Sequence, residues 1–248
     1  MYHSITFGEK NTWDDWHLIP SSRPVFSPPQ PNIRLLNIPG KSGSLDVTEA
    51  YGQVVYADRT GSFEFYVDHE AKPKIWEDWA EAYTTILNYL HGKKFHAVME
   101  DDPDYYYEGR FNVNEWRSNP NFSTIVINYT VAPFKMAHYE FGDDWLWDPL
   151  DFGDPENPRD KGTEISTFFG IPISETGYTV EIDGFGYRTI PVIECSRKGV
   201  QLYFDNYDPV TLVKGENRPS IAVITKGHHT LRFVGTGTVS VHYRGGSL

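Results

Sequence analysis

From Ser62 to Val67 the sequence alternates strictly, with Phe63, Phe65 and Val67 on one side and Ser62, Glu64 and Tyr66 on the other. A period of two puts each set on its own face of an extended chain, which makes this segment a strand with one buried face. It closes the stretch Pro39–Val67, which reads as two strands joined by a turn-rich connection. The first carries Leu45 and Val47, and Asp58–Arg59–Thr60–Gly61 leads into the second. The same stretch contains Gly40–Lys41–Ser42, the ending of a phosphate-binding loop. That motif needs a glycine five residues before Gly40, where Leu35 stands. It also needs a helix after the Ser, whereas Ser42–Gly43–Ser44 runs into turn and strand. A surface turn is expected.

The rest of the chain follows the same pattern. Aromatics make up 15% of 248 residues, with 21 Gly and 17 Pro, which favours strands and turns over helices. The proline-heavy passage Ile19–Pro31 excludes helix and central strand and is expected as a connector or sheet edge. Ile33–Ile38 reads as a strand ending at Pro39. The principal helix is expected over Lys72–His91, where Ile75, Trp76, Trp79, Ala80, Tyr83, Ile86, Leu87 and Leu90 form one apolar stripe. Pro73 lies in its first turn and Gly92 follows its end. Three strands come next, Lys94–Glu100, Tyr105–Trp116 and Phe122–Ala132, separated by turns at Asp101–Asp104 and Ser118–Asn121.

Fold class is therefore mainly β with one principal helix, in three parts. Residues 1–136 form an α+β domain that closes near Pro133. Residues 137–170 are an acidic, aromatic-rich interdomain segment. Residues 171–248 are short strands, Ser220–Ile224 among them, divided by Gly184, Gly199, Gly215, Gly227 and Gly235–Gly237, the pattern of a β-sandwich.

Charge and chemistry exclude several functions. The net charge is −12, with 12 basic against 18 acidic residues in 1–136 and 10 against 16 in 137–248. No basic stripe is available to grip nucleic acid. Cys195 stands alone in an apolar strand, so no disulfide framework exists, and a small buried residue is expected there. The first 16 residues lack the basic and apolar regions of a secretory signal, and no apolar run is long enough to span a membrane. The sequons at Asn121 and Asn128 are accordingly read as chance. His228–His229 are adjacent rather than at ligand spacing, and the acids of Glu140–Asp160 do not follow a calcium loop. No Gly-x-Ser-x-Gly occurs, and the carboxylates cluster in turns rather than as a facing pair. No catalytic, cofactor-binding or metal-ligating residue is nominated, and the chain is not expected to be an enzyme.

The order of parts resembles the distal tail protein of long-tailed bacteriophages. The matching segments are Gly43-Ser44-Leu45-Asp46 leading to Asp58–Phe65, the hairpin Asp101–Arg110, and the ending Tyr243-Arg244-Gly245-Gly246. The resemblance implies a virion hub, assembled in the host cytoplasm as a homo-hexameric ring between the tail tube protein and the tail-tip protein. DNA would pass through its channel without specific binding, and no membrane insertion or cofactor is implied. It also implies a galectin-like C-terminal domain projecting outward to hold receptor-binding proteins. The alternative is a carbohydrate-binding module for host adhesion. All seven Trp lie at or before Trp147, so the final domain lacks the Trp platform of a galectin-type site, which favours protein docking over sugar binding.

Overall fold

The computed structural model describes residues 2–50, 52–67, 79–118, 123–138, 169–184 and 186–248. The expected helix start at Lys72, with Ile75 and Trp76, lies outside these residues, as do residues 119–121 of the expected turn, Phe122 of the expected third strand and nearly all of the interdomain segment. The chain forms two compact units, Met1–Lys135 with Leu248, and Met136–Ser247.

In the first unit the strands are β1 (Ile5–Phe7), β2 (Lys10–Asn11), β3 (Leu18–Pro20), β4 (Leu35–Asn37), β5 (Ser44–Asp46) and β6 (Arg59–Val67). Helix α1 (Trp79–Leu90) follows, then β7 (Lys93–Met99), β8 (Asp102–Ser118) and β9 (Ser123–Val131), and β10 (Lys135–Ala137) spans the boundary between the units. The main sheet runs β2-β1-β7-β8-β9-β6-β3. Strands β7, β8 and β9 are antiparallel neighbours, as their order after the helix suggests. Strand β8 begins at Asp102, so Pro103 and Asp104 lie in it rather than in a turn. β3, which contains Pro20, sits at the edge, where proline's missing N–H costs no ladder bond.

The alternation in β6 is realised. Phe63, Phe65 and Val67 are buried and Ser62, Glu64 and Tyr66 are exposed. Their inner face joins Phe111, Val113, Ile125, Ile127 and Tyr129 across the sheet, and Ile86 and Leu90 of α1 close the same core. The helix stops where Gly92 takes φ +73 and donates its N–H to the Phe111 carbonyl at 2.9 Å. That left-handed residue is what a helix C-terminus calls for. Tyr89 of α1 donates its hydroxyl to the Phe7 carbonyl at 2.8 Å, fastening the helix to β1.

The N-terminal segment is held by two consecutive carboxylates. Asp101 accepts from His3 Nδ1 at 2.9 Å and from Arg23 Nε at 2.8 Å, and Glu100 accepts from the Ser4 N–H at 2.8 Å. The His3 bond, with Arg23 adding to it against partial desolvation, holds the Asp101 carboxyl below the usual range.

Strands of the second unit are β11 (Ile171–Ile173), β12 (Tyr178–Gly184), β13 (Val192–Cys195), β14 (Gln201–Phe204), β15 (Val210–Thr211), β16 (Gly215–Asn217), β17 (Gly227–Val234), β18 (Gly237–His242) and β19 (Gly246–Ser247). Eight of them, β11 to β18, build two four-stranded sheets, β11-β18-β13-β16 and β12-β17-β14-β15, while β19 pairs with β10. Their core contains Ile193, Leu202, Phe204, Leu231, Phe233 and Val239. Two expectations are corrected here. Ser220–Ile224 is not a strand but touches Thr189 through an isolated bridge, while Gly215, read as a divider between strands, opens β16, which pairs with β13. Gly184 ends β12 because its α-carbon packs against the Thr225 carbonyl, where any Cβ would overlap.

Phe65→Ala should destabilise the first unit by about 3–5 kcal/mol, since it empties a fully buried ring site. Ser62→Ala, on the exposed face of the same strand, should stay within ~0.5 kcal/mol, and chemical denaturation of both compares the two faces. Asp101 has a depressed folded-state pKa, so its contribution is present above the unfolded carboxylate value and is lost as pH falls through the folded one. Protection of the residue 3–8 amides, taken relative to the intrinsic exchange rate at each pH, should therefore fall on acidification in the wild type, whereas in Asp101→Asn it should already be reduced at neutral pH.

Candidate assembly surface

The expected first strand of Pro39–Val67 does not pair with β6. It is β5, and it pairs with β4 in a separate two-stranded sheet with Leu35 opposite Asp46, Leu36 opposite Leu45 and Asn37 opposite Ser44. Every residue from Gln30 to Asp46 is exposed. Ile33 (61%), Leu35 (60%), Leu36 (53%) and Leu45 (41%) are apolar side chains with no cover on either face of the hairpin. Gly40–Lys41–Ser42 sits at its exposed tip, and Gly40 and Gly43 take φ +82 and +81. It is a turn, as its context in the sequence indicates.

A lone two-stranded hairpin is marginal in water, because neither face buries enough to offset its ordering. Among the described residues its bonds are local, with Val47 N–H to the Arg34 carbonyl (2.9 Å), Arg34 N–H to Thr48 Oγ1 (2.9 Å) and Thr48 N–H to Asp46 Oδ1 (2.9 Å). These bonds shape the arm but give its leucines nothing to pack on. Exposed apolar side chains grouped on one such hairpin make it a candidate docking surface.

The root of the arm is firm by contrast. The Asn32 N–H donates to the Val55 carbonyl (2.8 Å) and the Ala57 N–H to the Gln30 carbonyl (2.9 Å). Just before them Phe26 is 3% exposed and enters an aromatic cage, with centroids 5.0 Å from Phe63, 4.0 Å from Tyr107 and 4.8 Å from Tyr129. Arg59 is 5% exposed and donates through Nε to the Pro133 carbonyl (2.8 Å) and through Nη1 to the Ser27 carbonyl (3.2 Å). Its guanidinium lies 5.3 Å from the Tyr107 ring centre. Burial pushes the Tyr107 hydroxyl up, and the Arg59 charge opposes that shift. The sequence offered no signal for this buried cation, because its partners are carbonyls contributed by distant prolines and serines.

Elsewhere the reactive groups are tied up. Cys195 is buried, and desolvation raises its thiol to about 11, far from a nucleophile's range. His229 Nδ1 lies 2.9 Å from Asp205 Oδ2, and its Nε2 accepts the Thr225 N–H at 3.1 Å. His228 lies 3.0 Å from Asp183, whose bond raises its pKa. Among the described residues no three His, Cys, Asp or Glu converge as a metal site, and no helix is long and apolar enough to cross a membrane.

No family model matches the sequence, and no curated protein sequence matches it. The fold does match a solved structure, the crystal structure of the SPP1 Dit (gp 19.1) protein, described as a paradigm of the hub adsorption apparatus in phages infecting Gram-positive hosts. The match covers 100% of both chains with a TM-score of 0.60 at 11% identity. The chain therefore has a Dit-like fold.

If the arm leucines are uncovered in the isolated chain, replacing them should cost it little. Leu36→Glu combined with Leu45→Glu is expected to leave the unfolding free energy from urea titration within about 0.5 kcal/mol of wild type at concentrations where the chain is monomeric.

Proposed function

We propose that this chain is a structural hub of a bacteriophage tail adsorption apparatus. The observation that carries the proposal is the whole-chain likeness to a hub adsorption protein, which spans both units. In this reading the first unit builds a homo-hexameric ring between the tail tube protein and the tail-tip protein, at the tail tip of the virion. The second unit, read as galectin-like, projects outward and carries receptor-binding components. DNA crosses the central channel without being held, and the acidic balance of the chain helps it slide. The chain performs no catalysis.

The exposed β4–β5 arm supplies the contact, and its occupant is a second copy of the same chain. Residues 32–50 carry Arg34, Lys41, Asp46 and Glu49 and so are formally neutral within a chain of −12. Two acidic bodies repel each other, but a neutral apolar arm reaches a neighbour without adding to that repulsion. An arm that docks on a different patch of the next copy makes a heterologous contact, and such contacts close into a ring when the rotation permits.

Negative-stain images and light scattering of the purified chain test this directly. The expected result is six-fold rings with six times the 28.5 kDa chain mass, lost in the Leu36→Glu, Leu45→Glu variant. A strict monomer that binds glycans on an array would instead support the adhesion-module alternative.

A further inference from the structure

We infer that the Phe26–Ser27 plug is the pivot that aims the arm, and that Tyr129 is its positioning residue through a single hydroxyl. This rests on the arm reading above. The segment entering the arm has few backbone bonds of its own. Ser21 N–H reaches the Glu64 carbonyl at 2.8 Å and the Arg23 side chain reaches Asp101 at 2.8 Å, and the next backbone bond to the sheet is at Ser27. There every polar group of Ser27 is engaged by the body of the unit. Its N–H donates to the Tyr129 hydroxyl oxygen at 2.9 Å, and the two hydroxyls share a further bond at 3.1 Å. Its carbonyl accepts from Arg59 at 3.2 Å.

Both anchoring side chains belong to the central sheet, Tyr129 to β9 and Arg59 to the first position of β6. The Tyr129 ring is 3% exposed and stacks on Phe63 at 4.7 Å, so its hydroxyl is held at a fixed point rather than on a mobile stem. Gly61 makes the arrangement possible. A Cβ at that position would overlap the Tyr129 hydroxyl and come within 3.1 Å of Ser27 Oγ. The small residue on β6 therefore clears a channel through which Tyr129 reaches across the strand to the connector. Three residues after Ser27 the arm begins at Gln30, so a rotation at the plug is carried to the tip.

The consequence is a separation of roles. The Phe26 ring supplies adhesion to the core, while the Tyr129 hydroxyl and the Arg59 guanidinium supply direction. A change that removes only direction should weaken assembly without unfolding the unit. Tyr129→Phe is that change, since it keeps the ring and deletes the one oxygen. Ser27→Ala is the milder second variant, removing the shared hydroxyl bond and keeping the N–H donor.

The experiment measures self-association of the full chain by sedimentation and amide exchange at the arm root, Asn32 and Ala57, beside exchange in β9. Tyr129→Phe is expected to raise root exchange at least tenfold, leave β9 protection unchanged and weaken self-association at least tenfold, with Ser27→Ala intermediate. Unchanged root exchange in Tyr129→Phe overturns the pivot, whatever assembly does. Raised root exchange with wild-type association also overturns it, because direction would then not matter to docking. The arm reading fails separately, if the Leu36→Glu, Leu45→Glu chain associates as wild type does.

Discussion

The first unit depends on one packing event, the meeting of the inner faces of β6 and β9. Phe63 and Tyr129 stack there at 4.7 Å, and Phe65 sits opposite Ile125 in the ladder. The same aromatic surface receives three other parts of the chain. Phe26 docks into it from the proline connector, Phe111 and Val113 reach it from β8, and Ile86 and Leu90 cap it from the helix. A buried aromatic contributes area and edge-to-face geometry at once, which lets residues more than a hundred positions apart share one core. Ordering of the connector and of the helix is therefore paid for largely by the sheet face.

How much of this was legible follows from where the determining contacts lie. The alternation in β6 and the three strands after the helix are local patterns, and both appear in the structure at nearly the expected residues. The helix end at Gly92 was equally local. What sequence reasoning missed was pairing. Leu45 and Val47 were read as a strand joined to β6 by a turn-rich connection, with no partner assigned, and β5 pairs back on β4. Nothing in a two-residue period says which strand an edge will choose. In the second unit, Ile221 to Ile224 had the apolar character of a strand, but its residues fill the core from a loop.

For the candidate surface the same limit applied in reverse. Leu35, Leu36 and Leu45 carry the hydropathy of core residues, so composition alone assigns them to an interior. Only the fold reveals that they are outside it. Arg59 is the converse case, a charged residue that reads as surface yet lies buried against Tyr107 and two carbonyls. An arginine tolerates that site because its donors form a planar fork and its charge can face a ring.

Charge explains why such an arm would be long. A chain carrying −12 meets a like-charged copy with repulsion that falls off over a Debye length of roughly 8 Å in physiological salt. From Pro31 to Gly40 an extended chain rising ~3.3 Å per residue can reach on the order of 30 Å. Contact made at that reach occurs where the field of the parent body is largely screened. A short arm with the same leucines would have to bring the acidic bodies themselves together before any apolar surface was covered. In the proposed assembly, length, neutrality and exposed leucines would be one solution to a single problem, and fixing the root at Ser27 would make the length useful. An arm free to swing would have to surrender that freedom on docking, at an entropic cost that a fixed root avoids.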